Sequence, residues 1–247
     1  MKIIFSRKGF DTAAGKAPSP IIDGRPTSLP IPTAHRSVTT YADLGLAKVV
    51  EDVTKGRIAG GNLCHHDPMF ESGRCAFGQT GSAQAHLSNN AVGVGDVFLF
   101  FGLFAEPGTR NRHHRFFGYL QVEEVIPLGP HPAAQDQPAG FRRRHPHTLG
   151  EWNRNNTLYL GCGHAADTAR DDLRLTRPGH RASCWRVPQW LRETGLTYHA
   201  QAARWTGADG LNAAARGQEF IADAGARDDA AHWCADVISG LKSNADR

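Results

Sequence analysis

The stretches that decide the fold are GDVFLFFGLF (95–104) and FFGYLQVEEVI (116–126). The first run is rich in phenylalanine and valine, and it is too apolar for an exposed strand. The second run alternates in polarity around Gln121, which is typical of a half-exposed strand. A turn-rich connection, residues 105–115, joins the two. The pair therefore predicts an antiparallel hairpin with one strand deep in a barrel or sandwich.

Shorter patterns on both sides of this hairpin predict further strands and helices. Apolar residues at helical spacing predict a helix within 40–54, with Thr39 or Thr40 as its cap. A helix over 187–194 would carry Pro188 in its first turn. The other predicted elements are a first strand near residues 2–7, a strand over 157–161 and a last helix over 228–241. Because no clean linker divides the chain, we expect one α+β domain over residues 1–247.

Composition excludes several classes of protein. The chain has 247 residues, of which 40% are hydrophobic and 21% charged, and these values are ordinary for a globular protein. No apolar run approaches the roughly 18 residues of a membrane span. The segment between Lys2 and Arg7 is too short for a signal-peptide core. Five cysteines without a CxxC pair argue against a disulfide framework or a zinc finger, and they favour a cytoplasmic location.

The net charge of +4 is too small for a protein that coats DNA non-specifically. Basic residues nevertheless concentrate in the connection 105–115 and in the proline-rich loop 127–150. In that loop we expect Arg142, Arg143 and Arg144 to be exposed and to contact nucleic-acid phosphates without sequence choice. A loop that is merely solvated is the alternative.

A candidate anion site follows the first predicted strand. Arg7 and Lys8 supply positive charge, and Asp11 and Ser19 supply polar side chains within a glycine- and proline-containing loop. Backbone N–H groups in such a loop can cradle an anion. No Walker pattern is present, and a solvated loop after an edge strand explains the same residues.

A candidate metal or acid–base site lies in CHHDP (64–68) and extends to His86. Histidine and aspartate suit either role. Because adjacent residues of a strand point to opposite faces, His66 could face a ligand alone or together with Cys64. The alternative is that Asp67 and Pro68 only open a turn.

Candidate base-binding residues lie in FGQTGSAQAHL (77–87) and RGQEF (216–220). Paired donors and acceptors let amide side chains bind base edges. The same groups can satisfy buried backbone atoms instead. The residues concerned are Gln79, Gln84, Gln218 and Glu219.

Several segments, taken in order, carry a resemblance to a known family. They are KGFD (8–11), PSP (18–20), SLPIP (28–32), TYADL (40–44), HHDP (65–68), FGQTGSAQAHL (77–87), GDVFLFFGLF (95–104), FGYLQVEEV (117–125), NTLYLG (156–161) and RGQEF (216–220). The chain resembles the nucleotide modification associated domain 3 family. Its hairpin is also similar to PUA-like barrels, which include readers of modified bases. This resemblance implies a curved antiparallel β-barrel with surrounding helices.

Two functional hypotheses follow. The first is a protein that binds a nucleotide or modified base and is associated with nucleic-acid base modification. The alternative is an enzyme acting on a nucleotide through a divalent metal held by His66, Asp67 and His86. In both cases we expect the segments around Asp11, His66, Gln79 and Glu219 to converge on one pocket.

Overall fold

The computed structural model describes residues 1–11 and 13–242. This part of the chain contains fourteen strands and four α-helices, joined by turns and loops. The strands are β1 (Lys2–Arg7), β2 (Ser19–Ile22), β3 (Arg25–Pro26), β4 (Ile31–Pro32), β5 (Cys64–His65), β6 (Met69–Glu71), β7 (Arg74–Gln79), β8 (Val97–Ala105), β9 (His113–Pro127), β10 (Thr157–Ala165), β11 (Cys184–Arg186), β12 (Trp205–Thr206), β13 (Gly210–Asn212) and β14 (Glu219–Asp223). The helices are α1 (Ala47–Thr54), α2 (Gly81–Asn89), α3 (Gln189–Thr194) and α4 (Asp228–Lys242).

Nine strands form one large sheet. Its order is β14-β1-β8-β9-β10-β7-β6, with β2 beside β8 and β3 beside β2. Strands β8 and β9 are antiparallel neighbours, with Val97 opposite Gln121, so the predicted hairpin is confirmed. Two small sheets, β11-β13-β12 and β4-β5, lie outside this sheet.

The large sheet is mixed, whereas a purely antiparallel barrel was expected. Strands β1 and β2 both run parallel to β8. The strand order ends at β14 on one side and at β6 on the other, and no pairing among the described strands joins these ends. The part of the chain that the structure describes is therefore α+β without a closed barrel. Hairpin patterns report only pairing between neighbouring segments, so the parallel partners of β8 left no local signal.

The apolar character of β8 has a direct structural cause. Every residue of the strand is buried, because both faces of the sheet are covered. Leu99 and Phe101 belong to a core that includes α3, α4 and the sheet β11-β13-β12. Phe98 and Phe100 belong to a second core on the opposite face, which includes Leu87 of α2. A central strand enclosed in this way needs apolar side chains on both faces.

The predicted helices are present with adjusted limits. Helix α1 begins only at Ala47, because residues 41–46 form turns in which Gly45 has a φ of 71°. Thr40 therefore does not cap the helix, and it instead hydrogen-bonds Asp43 within the preceding turn. The predictions for α3 and α4 agree with the structure within two residues. Helix α2 was not predicted, because its residues lack a strong amphipathic pattern.

The basic connection after β8 is also shorter than expected. Strand β9 begins at His113, and both His113 and Arg115 are buried. Arg115 donates to the carbonyl oxygen of Arg170. These residues therefore serve the fold, and the irregular connection is confined to residues 106–112.

Some expectations concern the chain as a whole. All five cysteines are unpaired. Among the described helices, none combines the length and the apolar run that a bilayer crossing requires. The single domain over residues 1–247 stays a prediction, and it includes residues 12 and 243–247, which lie outside the described part.

Close packing of β10 against β9 gives a testable prediction. Their register shifts at Gly161, where an added Cβ would lie 1.9 Å from the carbonyl oxygen of Gln121. We expect Gly161→Ala to lower the free energy of unfolding by roughly 1–3 kcal/mol, because the backbone must move apart. Urea denaturation measures this change. The control is Gly93→Ala, where a Cβ meets no atom within 4 Å, and equal effects in the two variants would contradict the packing argument.

Candidate functional site

A cleft of about 960 Å³ lies beside the ends of β1 and β7, the first turn of α2 and the start of β14. Its volume is within the range of small-molecule sites, roughly 300–1,000 Å³. The structure brings all four of the segments expected to converge to this cleft. The predicted residues that line it are Arg7, Lys8, Asp11, Asp67, Gln79, His86, Gln218 and Glu219.

Three of the residues predicted for the pocket, Ser19, His66 and Gln84, do not line the cleft. Gln84 is on the buried face of α2, where its Oε1 accepts a hydrogen bond from the hydroxyl of Tyr159 at 3.1 Å. Ser19 Oγ accepts from the N–H of Leu29 at 3.1 Å. Burial lowers the pKa of His66 to about 4, and the nearby His145 adds to the shift. Gln84 and Ser19 therefore have hydrogen-bond partners within the fold, and their roles in ligand binding stay predictions.

A largely buried ion pair lies in the wall of the cleft. Lys8 Nζ is 2.6 Å from Glu219 Oε1, and the Glu219 side chain is only 1% exposed. Gln79 Nε2 donates to the same oxygen at 2.8 Å. Lys8 Nζ also lies 4.4 Å from the centre of the Phe77 ring, a cation–π contact. Three strand ends thus hold one carboxylate oxygen in place.

The second carboxylate oxygen of Glu219 has no such support. Its Oε2 is buried and has no hydrogen-bond partner among the described residues. Leaving a buried acceptor without a donor destabilises the folded state by about 1–3 kcal/mol, and by more when the group is charged. An N–H or O–H group of a ligand would satisfy it.

The first turn of α2 offers backbone donors. Ser82 and Ala83 line the cleft, and their N–H groups belong to the helical turn that lacks internal partners. The side chain of Thr80, at the N-cap, makes no capping hydrogen bond, and its Oγ1 has no partner among the described residues. The N–H of Gly81 already donates to Asn155 Oδ1 at 2.9 Å. The positive end of the helix dipole therefore offers the cleft the N–H groups of Ser82 and Ala83.

Arg7 and Asp11 have partners within the chain. The Arg7 guanidinium donates to the carbonyl oxygens of Ala214 and Ala215, both at 2.7 Å. Asp11 Oδ1 accepts from the N–H groups of Ala13 and Ala14. Both residues line the cleft, but these contacts first shape the loops that form its wall.

One exposed aromatic ring lines the cleft. Tyr198 is 52% exposed and has a φ of 65°. Its ring lies 4.7 Å from the ring of His86 and meets Phe220 edge-on at 6.1 Å. His86 Nε2 is 3.0 Å from Thr197 Oγ1, which fixes the imidazole beneath the tyrosine. About half of the Tyr198 side chain is therefore accessible to a flat ligand.

Asp67 lies among histidines. Its Oδ1 accepts from the N–H of Gly78 at 3.1 Å and lies 3.3 Å from His145 Nε2. Its Oδ2 is 3.6 Å from His65 Nε2 and 3.8 Å from His147 Nε2. Burial would raise the pKa of Asp67, but the neighbouring imidazoles of His145 and His65 outweigh it and hold the pKa below its ordinary value.

The potential metal ligands differ from the expected set. Among the described residues, the three metal-binding side chains that come together are His65, Asp67 and His147. Asp67 is common to both sets, whereas His66 and His86 do not join it. The ring of His86 instead contacts Thr197 and Tyr198. The sequence therefore identified Asp67 of this group but not His65 or His147.

The three arginines of the proline-rich loop are less free than expected. Arg142 is exposed and pairs with Glu71 at 2.5 Å. Arg143 and Arg144 are half-buried, and they donate to the carbonyl oxygens of Asp43 and Thr148, respectively. All three contacts hold the loop against its neighbours, and a role in phosphate binding stays a prediction.

Sequence reasoning missed four aromatic or imidazole side chains of the cleft, namely His65, His147, Trp152 and Tyr198. His65 was quoted but not selected, and His147 was grouped with the basic loop because of its neighbours. Trp152 and Tyr198 lie in segments without a recognisable motif. The ring of Trp152 stacks on His147 at 4.1 Å, which ties the end of the loop to the site. Only an observed spatial arrangement could have identified them.

We compared the chain with known proteins. A family model described as nucleotide modification associated domain 3 matches residues 2–223. Searches of curated proteins and of solved structures found no match.

The buried position of Gln84 gives a prediction about stability. We expect Gln84→Leu to lower the free energy of unfolding by roughly 1–3 kcal/mol, because the Tyr159 hydroxyl loses its partner. Tyr159→Phe combined with Gln84→Leu should cost less than the two single changes together, since no polar group is then left unpaired. Urea denaturation of the three variants measures this coupling. Strict additivity would show that the hydrogen bond contributes nothing.

Proposed function

Because the chain belongs to the nucleotide modification associated domain 3 family, we propose that its cleft binds a nucleotide or a modified base. By binding such a ligand, the protein would assist the modification of nucleic-acid bases. The observation that supports this proposal is that one cleft combines an exposed aromatic ring, a helix N-terminus and a buried carboxylate oxygen without a donor. These features match the ring, the phosphate and the hydrogen-bonding edge of a nucleotide.

Tyr198 would contact the base. Its exposed ring is held by His86 and Phe220, so little freedom is lost when a second ring stacks on it. Stacking of a base on an aromatic side chain contributes about 1–3 kcal/mol. The interaction tolerates different bases, because every base has a flat face.

The first turn of α2 would receive the phosphate. Phosphate oxygens accept hydrogen bonds from free backbone N–H groups at helix N-termini, and the helix dipole favours the negative charge. Ser82 and Ala83 line the cleft, and their N–H groups would donate in this way.

Glu219 would recognise the base edge or a sugar hydroxyl. A carboxylate accepts from an exocyclic amino group such as N4 of cytosine. Lys8 and Gln79 already hold Oε1, which leaves Oε2 for the ligand. A binding carboxylate fixed in this way discriminates well, since a ligand without a donor leaves it unpaired.

A second candidate function is an enzyme that acts on a nucleotide with a divalent metal. The observation in its favour is that His65, Asp67 and His147 line the same cleft. The first proposal explains more of the cleft, because it uses the aromatic ring, the helix and Glu219.

The stacking role of Tyr198 can be tested with paired variants. We expect Tyr198→Ala to weaken nucleotide binding by about 5- to 100-fold, because the stacking surface is removed. Tyr198→Phe should bind within about 2-fold of the wild type, since it keeps the ring. Calorimetric titration with a panel of unmodified and base-modified nucleoside monophosphates measures these affinities.

The pair is well matched, because alanine and phenylalanine carry the same backbone cost at a φ of 65°. The proposal fails if no member of the panel binds the wild-type protein. The stacking role fails if the two variants bind equally well.

We expect Arg142 to contribute to the binding of a nucleic-acid strand. We expect Arg142→Gln to reduce the dependence of log affinity on log salt concentration by about 0.7 for a single-stranded oligonucleotide, which is the value of one lost phosphate contact. A single variant is preferable to the triple one, because Arg143 and Arg144 hold the loop. Arg74→Gln is the control, since Arg74 is another exposed arginine paired with a glutamate. An unchanged slope in Arg142→Gln would exclude the contact.

A further inference from the structure

We propose that His65, Asp67 and His147 bind one divalent transition-metal ion at the wall of the cleft. Each offers one ligand atom, and the three atoms lie within 4.8 Å of one another. Ligand atoms about 2.0–2.1 Å from a tetrahedral zinc ion lie about 3.4 Å apart. The observed distances of 3.6 and 3.8 Å from Asp67 Oδ2 to the two imidazoles are close to this value. The inference rests on side-chain geometry and is independent of nucleotide binding.

The hydrogen bonds of His147 orient it as a ligand. Its Nδ1 is 2.6 Å from Asn156 Oδ1, and Asn156 Nδ2 donates to the carbonyl oxygen of His147 at 3.0 Å. The second bond fixes the orientation of the amide, so Nδ1 must carry the hydrogen. The Nε2 atom of the neutral ring then presents a lone pair, as in metal sites whose histidines donate their other N–H to an oxygen.

This lone pair faces a carboxylate. His147 Nε2 and Asp67 Oδ2 are then two acceptors 3.8 Å apart. Two acceptors repel each other unless a cation lies between them, and a metal ion supplies that cation.

The burial and charge of Asp67 also favour a bound cation. The side chain is 4% exposed, and no lysine or arginine among the described residues lies within ion-pair distance of it. A buried carboxylate needs a cationic partner. Glu219, in the same cleft, has Lys8 for this purpose, whereas Asp67 has only imidazoles.

Packing holds the histidine in position. An added Cβ at Gly78 would lie 2.3 Å from the His147 ring, so only glycine lets the ring come this close. The N–H of Gly78 also donates to Asp67 Oδ1. One strand residue therefore positions both ligands. On its other side the His147 ring stacks on Trp152.

The ligand types select the metal. Two imidazoles and one carboxylate are typical of zinc, iron and manganese sites and not of magnesium or calcium sites, which use oxygen ligands. Three protein ligands leave coordination positions open. Because all three residues line the cleft, these positions face the space that a bound molecule would occupy.

Titration with the metal alone tests the site. Untagged protein, stripped with a chelator, is titrated with Zn²⁺ by calorimetry and with Co²⁺ by visible absorbance. We expect one equivalent to bind, with the Co²⁺ spectrum of a four- or five-coordinate nitrogen and oxygen site. His65→Ala and Asp67→Asn should each weaken binding by about 100-fold or more, and Gly78→Ala by about 10- to 100-fold.

The controls are other histidines. His131→Ala removes an exposed histidine, and His86→Ala removes one that lines the cleft but contacts Thr197. Both should retain the full equivalent. Circular dichroism of the metal-free variants checks folding. If Asp67→Asn does not fold, the proposal is still tested by the His65→Ala variant, which changes a half-buried side chain, and by the metal stoichiometry of the wild-type protein.

Two results would overturn the proposal. One is the absence of stoichiometric binding by the wild-type protein, which would leave a hydrogen-bonded histidine–aspartate cluster only. The other is full binding by the His65→Ala variant or loss of binding by His86→Ala. No nucleotide is present in the titration, so its outcome is separate from that of the nucleotide-binding test.

Discussion

The burial of β8 on both faces is the constraint on which the rest of the structure depends. A strand with no polar side chain in its interior must lie between two cores, and here it lies between β1 and β9. The parallel pairing of β1 with β8 continues beyond the strand, where the N–H of Lys8 donates to the carbonyl oxygen of Phe101. The antiparallel pairing of β14 places Glu219 opposite Ser6. The buried ion pair of the cleft therefore follows from the registers around a single apolar strand.

The two buried carboxylates of the cleft are stabilised differently. Glu219 has a permanent cation in Lys8 and an amide donor in Gln79. Asp67 has a backbone N–H and a set of histidines. In the first arrangement the charges of Lys8 and Glu219 cancel, which suits hydrogen bonding to a neutral ligand group. The second lacks a fixed positive charge, and a bound metal ion would supply one. One cleft thus contains a binding carboxylate and a candidate coordinating carboxylate.

Sequence predicted the parts of this protein that local patterns determine. Periodicity identified the hairpin, α3 and α4, because those signals lie within the elements themselves. Helix α2 was missed because small residues give it little amphipathic character, and its N-terminus is a main feature of the cleft. Local sequence could not tell which of His65 and His66 lies beside Asp67. The two-residue strand β5 that contains His65 is held by its pairing with β4, which is distant in sequence. His147 reaches the site only through tertiary packing against Gly78, and no local pattern reports such contacts.

Charge connects the two proposals. The charged side chains that line the cleft are two basic and three acidic ones, namely Arg7, Lys8, Asp11, Asp67 and Glu219. A divalent ion at Asp67 would reverse the sign of this balance and favour an anionic ligand. Gly78, which contacts Asp67 and His147, is three residues from Gly81 at the start of α2. Three residues span at most about 11 Å, so a phosphate at the helix N-terminus would lie near the ion. A metal there would strengthen phosphate binding through its charge even where it takes no part in chemistry.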